Sequence, residues 1–460
     1  MYRKISTIHM VGIGGAGMSG ISEVLSNLGY GVTGSDICES AVTGRLRKLG
    51  IKIHIGHRAS NVSGAELVVI SGAISPANPE LKAARRKGIP VIPRIEILAE
   101  LARLKYTVSV AGTHGKSTTT SMVGLVLEHG GLDPTIVIGG KVRNFGSGVR
   151  LGEGAFFVAE ADESDGSFLK LSPTIAIVTN IDNDHLDYYG SMKKLRESFI
   201  QHLDTVPFYG CGIVCTDNPI VRSISSRLMR RYYSYGFNRD AALAARCVSF
   251  SGGITSYDAV FRGKKLGRIR MSIQGRHNIL NSLAAVCCGL ELGIPFRRIA
   301  GALNSFRGVG RRMELKGAAR GVIFLDDYGH HPTEIAATLG SLRENYRKNR
   351  IVVIFQPHRY SRTKLLRREF GPAFRHADSV FLLDVYPAGE KPVPGVTSKT
   401  IFGGIRKHCR ETRMVSKQSA LKELPEYIRP GDIVLSLGAG DVWKLHEKLL
   451  SEWKKQRKKK

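Results

Sequence analysis

Two glycine-rich loops constrain this chain more than any other feature, because each follows an apolar strand-like run and opens a helix-like run. The first is Gly12-Ile13-Gly14-Gly15-Ala16-Gly17, between the runs Ile5 to Val11 and Ser19 to Leu28. The second is Gly112-Thr113-His114-Gly115-Lys116-Ser117, after the run Tyr106 to Val110. A strand that turns through glycines into a helix points backbone N–H groups and the positive end of the helix dipole at an anion. Such turns belong to parallel sheets covered by helices on both faces. The rest of the chain keeps that rhythm. Tyr30 to Gly34, Ile51 to Ile55 and Leu67 to Ser71 read as strands after the first loop, and Phe156 to Ala159 and Ile175 to Thr179 after the second. Val322 to Leu325, Ile351 to Phe355, Val380 to Leu383 and Ile433 to Ser436 form a third series. The pattern predicts an α/β protein of three successive units, 1–105, 106–319 and 320–460.

The residues at the predicted strand ends carry the chemistry. The first loop reads G-x-G-x-x-G, so its backbone can approach a diphosphate, with Asp36 at the end of the second strand placed for a ribose hydroxyl. The same sequence fits a tight turn, or the dinucleotide fingerprint of a dehydrogenase. The second phosphate-type loop weighs against a dehydrogenase. In that loop Lys116 suits the β/γ oxygens of a nucleoside triphosphate, and the Ser117 hydroxyl suits Mg²⁺. Its spacing, G-x-x-G-K-S, is two residues shorter than the general pattern. Four acids fall within Glu160-Ala161-Asp162-Glu163-Ser164-Asp165, where a carboxylate holds a metal or a solvated loop simply turns. His185 ends another strand pattern and reads equally as a metal ligand or a structural histidine. Asn278 and Asn281 share a helix face and suit an adenine edge, although Asn278 fits a helix cap as well. Arg311 and Arg312 suit phosphate. The stretches Asp326 to Pro332 and Gln356 to Arg362 follow strands, and together they suggest a pocket with two arginines for a small carboxylate.

Composition narrows the setting. No apolar run reaches 18 residues, so no membrane span is expected. Arg3 and Lys4 before an apolar stretch faintly mimic a signal peptide, but that stretch is already accounted for as strand and turn. The seven cysteines are scattered and form no C-x-x-C pair, which fits a reducing cytoplasm better than a disulfide framework or zinc site. The net charge of +29 is spread along the chain apart from the run Trp453 to Lys460. With no nucleic-acid motif beside it, that tail reads as disordered and solvated, and no specific nucleic acid is expected.

In order, GIGGAGMSG, GTHGKSTTT, EADESD, TNIDNDHLD, GRHNILN, GVGRRME, DDYGHHPTE and QPHRYSRT resemble the Mur ligases, which build the peptide of bacterial peptidoglycan. The shortened phosphate loop is that family's own form. The resemblance implies a Rossmann-like first domain for a UDP-linked muramyl substrate, a P-loop ATPase-like central domain and a Rossmann-like C-terminal domain for the amino acid. It implies ATP and Mg²⁺ as cofactors. It places Gly14, Gly15, Ala16, Gly17, Asp36 and Ser71 at UDP-N-acetylmuramate. Gly112, Thr113, His114, Gly115, Lys116, Ser117, Thr118, Asn278, Asn281, Arg312 and Asp327 would be at ATP. Ser117, Glu160 and His185 would bind the metal, and Tyr328, His330, His358, Arg359 and Arg362 would surround L-alanine. Lys116, Glu160, His185, Arg312, Asp327 and His330 would act in an acyl-phosphate mechanism, His330 or a water taking the amine proton.

The absence of lysine from Leu195 to Gly210, where other members carry a carbamylated one, fits an alanine-adding member. Arg143 and Gly148 depart from asparagines usual in the family. A monomer or homodimer is expected. The third domain is expected to close over nucleotide about a hinge at Gly317 to Gly321.

Overall fold

The computed structural model describes residues 5–140, 142–251 and 253–458. The α/β expectation holds, with three sheets. The first has five parallel strands in the order Lys52–Ile55, Gly31–Asp36, Thr7–Val11, Leu67–Ile70 and Val91–Pro93. The chain works outward from Thr7–Val11 in one direction, then returns to its other side at Leu67–Ile70. That reversal opens a crevice beyond the carboxyl ends of these two strands, where α/β sheets bind ligands. Ile8, Met10 and Val11 are fully buried, as a strand covered on both faces requires.

The second sheet has ten strands. Its centre places Tyr106–Ala111 between Ile175–Val178 and Phe156–Glu160, all parallel, with Cys211–Cys215 and Tyr232–Gly236 continuing beyond Ile175–Val178. One outer end carries Leu243–Ser251, Ile254–Phe261 and Lys264–Met271. These last strands escape the sequence reading because polar or basic residues interrupt their apolar ones, so no continuous run betrays them. A single apolar core runs through the helices and strands of the first two sheets, from Ile8 to Ile224.

The third sheet orders Glu314–Ala319, Val322–Asp327, Ile433–Leu437, Ile351–Phe355, Ser379–Leu382 and Glu411–Met414, parallel except for the first strand. All residues of Ile351–Phe355 and Ile433–Leu437 are buried, as central strands should be.

Two compact units emerge. One contains the first sheet and most of the second, and runs to Arg307. The other comprises Gly308 onward with the segments Ser249–Thr255 and Ser272–His277.

Two expectations are corrected. The stretch Gly317 to Gly321 is not a bare linker, because Glu314–Ala319 pairs antiparallel with Val322–Asp327 across it. Backbone-paired strands resist the torsion a hinge needs, and a boundary at 319/320 falls in this turn. The tail is not disordered from Trp453 either. The helix Lys444–Lys458 continues through it, and Trp453 is 7% exposed against Phe324 and Arg320. Val442, Leu445, Leu449, Leu450 and Trp453 repeat at helical spacing and cover one face of the third sheet. Lys459 and Lys460 lie outside the described residues.

Candidate functional site

The first loop is fixed by backbone hydrogen bonds from Gly12 and Ile13 N–H to the Ser35 carbonyl, and by Gly14 N–H to Asp36 Oδ2 at 2.8 Å. Asp36 Oδ1 accepts the Ile37 N–H. The aspartate expected at a ribose therefore also holds the loop in shape. The helix Ala16–Asn27 begins at Gly15 with no side-chain cap, leaving its first N–H groups to face an anion. Ser71 lies beside Gly12: a Cβ on that glycine would sit 3.3 Å from Ser71 Oγ. The predicted contacts Gly14, Gly15, Gly17, Asp36 and Ser71 thus gather at the crevice between Thr7–Val11 and Leu67–Ile70.

The second loop is braced from the neighbouring strand. Thr113 N–H donates to the Asn180 carbonyl and His114 N–H to Asn180 Oδ1, while Thr179 Oγ1 donates to the His114 carbonyl. His114 Nε2 stands 3.0 Å from Asp182 Oδ2. Gly112 cannot be replaced, since a Cβ there would meet Thr179 Oγ1 at 2.2 Å. The helix Lys116–His129 starts at Gly115, whose φ of 82° favours glycine. Asn281 Oδ1 lies against Gly115 and accepts from Thr119, and Asn281 Nδ2 donates to Asn278. The capping alternative for Asn278 fails, because the residue is inside the helix Arg276–Glu291.

Lys116 Nζ donates to the Gly112 carbonyl at 2.6 Å and to both oxygens of Glu163 at 2.9 and 2.8 Å. Burial alone would lower the Lys116 pKa, but Glu163 and Asp162 outweigh it and raise it. Burial raises the Glu160 pKa, and the Ser117 hydroxyl, the Lys116 charge and the Gly139 N–H only partly reverse this. Glu160 Oε1 is enclosed without a hydrogen-bond donor among the described residues, the state of an oxygen shaped for a cation. His185 Nε2 is 4.0 Å from Glu163. His185 has φ 59°, a left-handed conformation that costs a non-glycine residue roughly 1–2 kcal/mol, so its side chain rather than its backbone explains its presence.

In the second compact unit, side chains gather past the carboxyl ends of Val322–Asp327 and Ile351–Phe355. Tyr328 has Arg311 and Arg312 over its ring, at 5.1 and 5.2 Å, and meets His330 edge-on. The His330 and His358 rings lie 5.5 Å apart, and Arg362 Nη1 is 3.5 Å from His358 Nδ1. Arg312 pairs with Glu334 at 3.3 Å. The guanidinium of Arg362 is nearly buried, whereas Arg359 is exposed. Four of the five residues expected at the amino acid are therefore assembled, and Arg359 stands at their edge.

Two of the expected residues also carry structural hydrogen bonds here. Asp327 is 4% exposed, and its oxygens accept the Met313 and Gly329 N–H groups, each at 2.8 Å. Burial lifts its pKa to about 6 against the pull of Arg312. It shapes the loop that carries Arg312. His330 Nδ1–H donates to the Tyr328 carbonyl at 3.1 Å. Burial lowers its pKa to about 3; Glu334 opposes this, and Arg362 and His358 reinforce it.

The segment that departs from the family pattern is held by Asn144, whose amide donates to the Ser305 carbonyl and accepts the Arg307 N–H. A Cβ at Gly148 would lie 2.9 Å from the Gly140 and Ile138 carbonyls, so asparagine does not fit there. Sequence reasoning missed Glu163 as the partner of Lys116, since four acids in six positions give no sign of which one faces the lysine.

Comparison with known proteins agrees with this architecture. The model of the Mur ligase family, catalytic domain, matches residues 7–106, that of the Mur ligase middle domain 110–289, and that of the Mur ligase, glutamate ligase domain, 311–440. A UDP-N-acetylmuramate–L-alanine ligase from Geobacter sp. (strain M21) is 53% identical over 98% of both chains. One from Endomicrobium trichonymphae is 53% identical over 98% of this chain and 100% of its own. The crystal structure of UDP-N-acetylmuramate-alanine ligase from Thermotoga maritima superposes with a TM-score of 0.83 at 30% identity, covering 98% of this chain and 99% of its own. With three domain matches in sequence order, a braced phosphate loop and near-complete coverage by relatives, the chain belongs to the Mur ligase family.

Proposed function

We propose that this chain joins L-alanine to the carboxylate of UDP-N-acetylmuramate, driven by ATP, in the synthesis of peptidoglycan precursors. The observation that carries this reading is the 53% identity, over 98% of both chains, to a UDP-N-acetylmuramate–L-alanine ligase. In this reading residues 1–105 hold the UDP group, 106–307 hold ATP and 308–460 hold the amino acid.

A carboxylate is a poor electrophile towards an amine. Its oxygen attacks the γ-phosphorus of ATP, ADP departs, and the acyl phosphate formed has phosphate as a leaving group. The alanine amine then attacks the carbonyl carbon, and phosphate leaves as the amide forms. Lys116, released from Glu163 by the incoming phosphates, neutralises their charge. Ser117, Glu160 and His185 would hold Mg²⁺, the hydroxyl and the undonated Glu160 oxygen being hard ligands of the kind it takes. Bound there, it would neutralise phosphate charge. Tyr328, His330, His358 and Arg362 orient the amino acid, Arg362 through its carboxylate. The proton leaves the amine to water. No described helix is long and apolar enough to cross a membrane. ATP and unpaired cysteines fit the cytoplasm.

The test is phosphate release from ATP with UDP-N-acetylmuramate and each amino acid in turn. Release should need both partners and be fastest with L-alanine. Rapid release with another amino acid, and none with L-alanine, would reassign the substrate.

A further inference from the structure

Arg94 opens the helix Arg94–Arg103, directly after the edge strand of the first sheet. Its side chain folds back over the first loop. A Cβ built on Gly17 would fall 1.8 Å from Arg94 Nη1 and 2.9 Å from its Cζ. The guanidinium occupies the space that a side chain at Gly17 would fill, a neighbour that the G-x-G-x-x-G pattern does not reveal. The guanidinium thus lies on the first turn of a helix whose N-terminus has no side-chain cap.

Its own acceptors are sparse. Among the described residues Arg94 donates no hydrogen bond, and its one ion pair, Nη2 to Asp162 Oδ2, spans 3.9 Å with both side chains partly exposed. Asp162 lies on the acidic loop that supplies Glu163 to Lys116. Asp162 also lies within the field of Lys116. One carboxylate thus sits between the lysine of the second phosphate loop and an arginine laid on the first.

A planar fork of five N–H donors, kept beside helix N–H groups and paired only loosely, matches the geometry of phosphate oxygens. We propose that Arg94 is a binding residue for the diphosphate of the nucleotide-linked substrate, completing from the side-chain direction the anion site that the Gly12 to Gly17 backbone begins. On binding, the guanidinium exchanges the distant Asp162 carboxylate for diphosphate oxygens, and Gly17 leaves it room to do so. This inference rests on the proposed function, since it takes the UDP-linked substrate as the occupant of the first loop.

Calorimetry with uridine, UMP and UDP separates the two claims and separates binding from folding. The wild-type chain should gain affinity with each phosphate added. Arg94→Gln should lose about tenfold or more of its affinity for UDP, the scale of a charge-assisted bidentate contact, and almost none for uridine. Arg94→Lys should recover part of the loss, ATP affinity should stay within about twofold, and Gly17→Ala should mimic Arg94→Gln by displacing the guanidinium. UDP affinity unchanged in Arg94→Gln would overturn the proposal, as would an equal loss for uridine and UDP, which marks a structural role. A wild-type chain that ignores UDP would remove the functional reading itself, and this inference with it.

Discussion

Lys116 and Glu163 show what residue-scale chemistry was visible in the sequence and what was not. A lysine before Ser-Thr in a glycine loop announces phosphate by its position alone, because the loop and the helix start are local. Its partner is set by how a distant strand end folds back, and no spacing encodes that. Glu163 is 1% exposed, so removing Lys116 leaves a carboxylate enclosed without its cation. Lys116→Ala should therefore abolish phosphate release and also lower stability by roughly 3 kcal/mol, the usual consequence of breaking a buried pair. Adding Glu163→Gln should restore most of that stability in urea unfolding while leaving the enzyme inactive. Turnover near normal in Lys116→Ala would remove the phosphate role. Arg94 was equally hidden, for only the contact with Gly17 exposes it.

Among elements, legibility followed continuity of apolar residues. Strands buried on both faces, such as Ile351–Phe355, stood out as unbroken runs, whereas Lys264–Met271 alternates charge with Ile269 and Met271 and passed unnoticed. The last helix was misjudged because its basic end masked the stripe ending at Trp453. The position of the cut now decides the outcome of shortening the chain. Ending after Trp453 should leave turnover within about twofold and the urea midpoint nearly unchanged, since the cut keeps every described core side chain. Ending after Glu452 should cost about 3–5 kcal/mol, as deletion of a buried tryptophan does, with a matching fall in the urea midpoint. Identical midpoints for the two truncations would show that Trp453 carries no packing energy.

The whole molecule is made sensitive to acid by histidines kept neutral in its cores. His202 packs against Phe168 beside Ser109, and His446 against Phe324, one in each compact unit. Burial lowers their pKa to about 4 and about 3. A depressed folded-state value means that the unfolded chain binds protons first. The stability of both sites is therefore complete above pH 6.5 and declines as pH falls towards the folded values. At pH 5 each should have lost about 2 kcal/mol. Unfolding measured between pH 8 and 5 should show this loss, and replacing His202 with glutamine should flatten the slope by about one proton. A slope unchanged by that replacement would place the acid sensitivity elsewhere.

The three-domain order was legible because each domain begins with its own strand and turn. The assembly of Tyr328, His330, His358 and Arg362 was legible only as two polar clusters at strand ends. The central claim is that ATP activates the muramyl carboxylate for capture by L-alanine. It is tested most directly by mass spectrometry after incubation with ATP, L-alanine and UDP-N-acetylmuramate carrying ¹⁸O in its carboxylate. The account predicts the L-alanyl amide together with inorganic phosphate bearing one ¹⁸O from that carboxylate. Unlabelled phosphate, or phosphate formed without the amide, would contradict it.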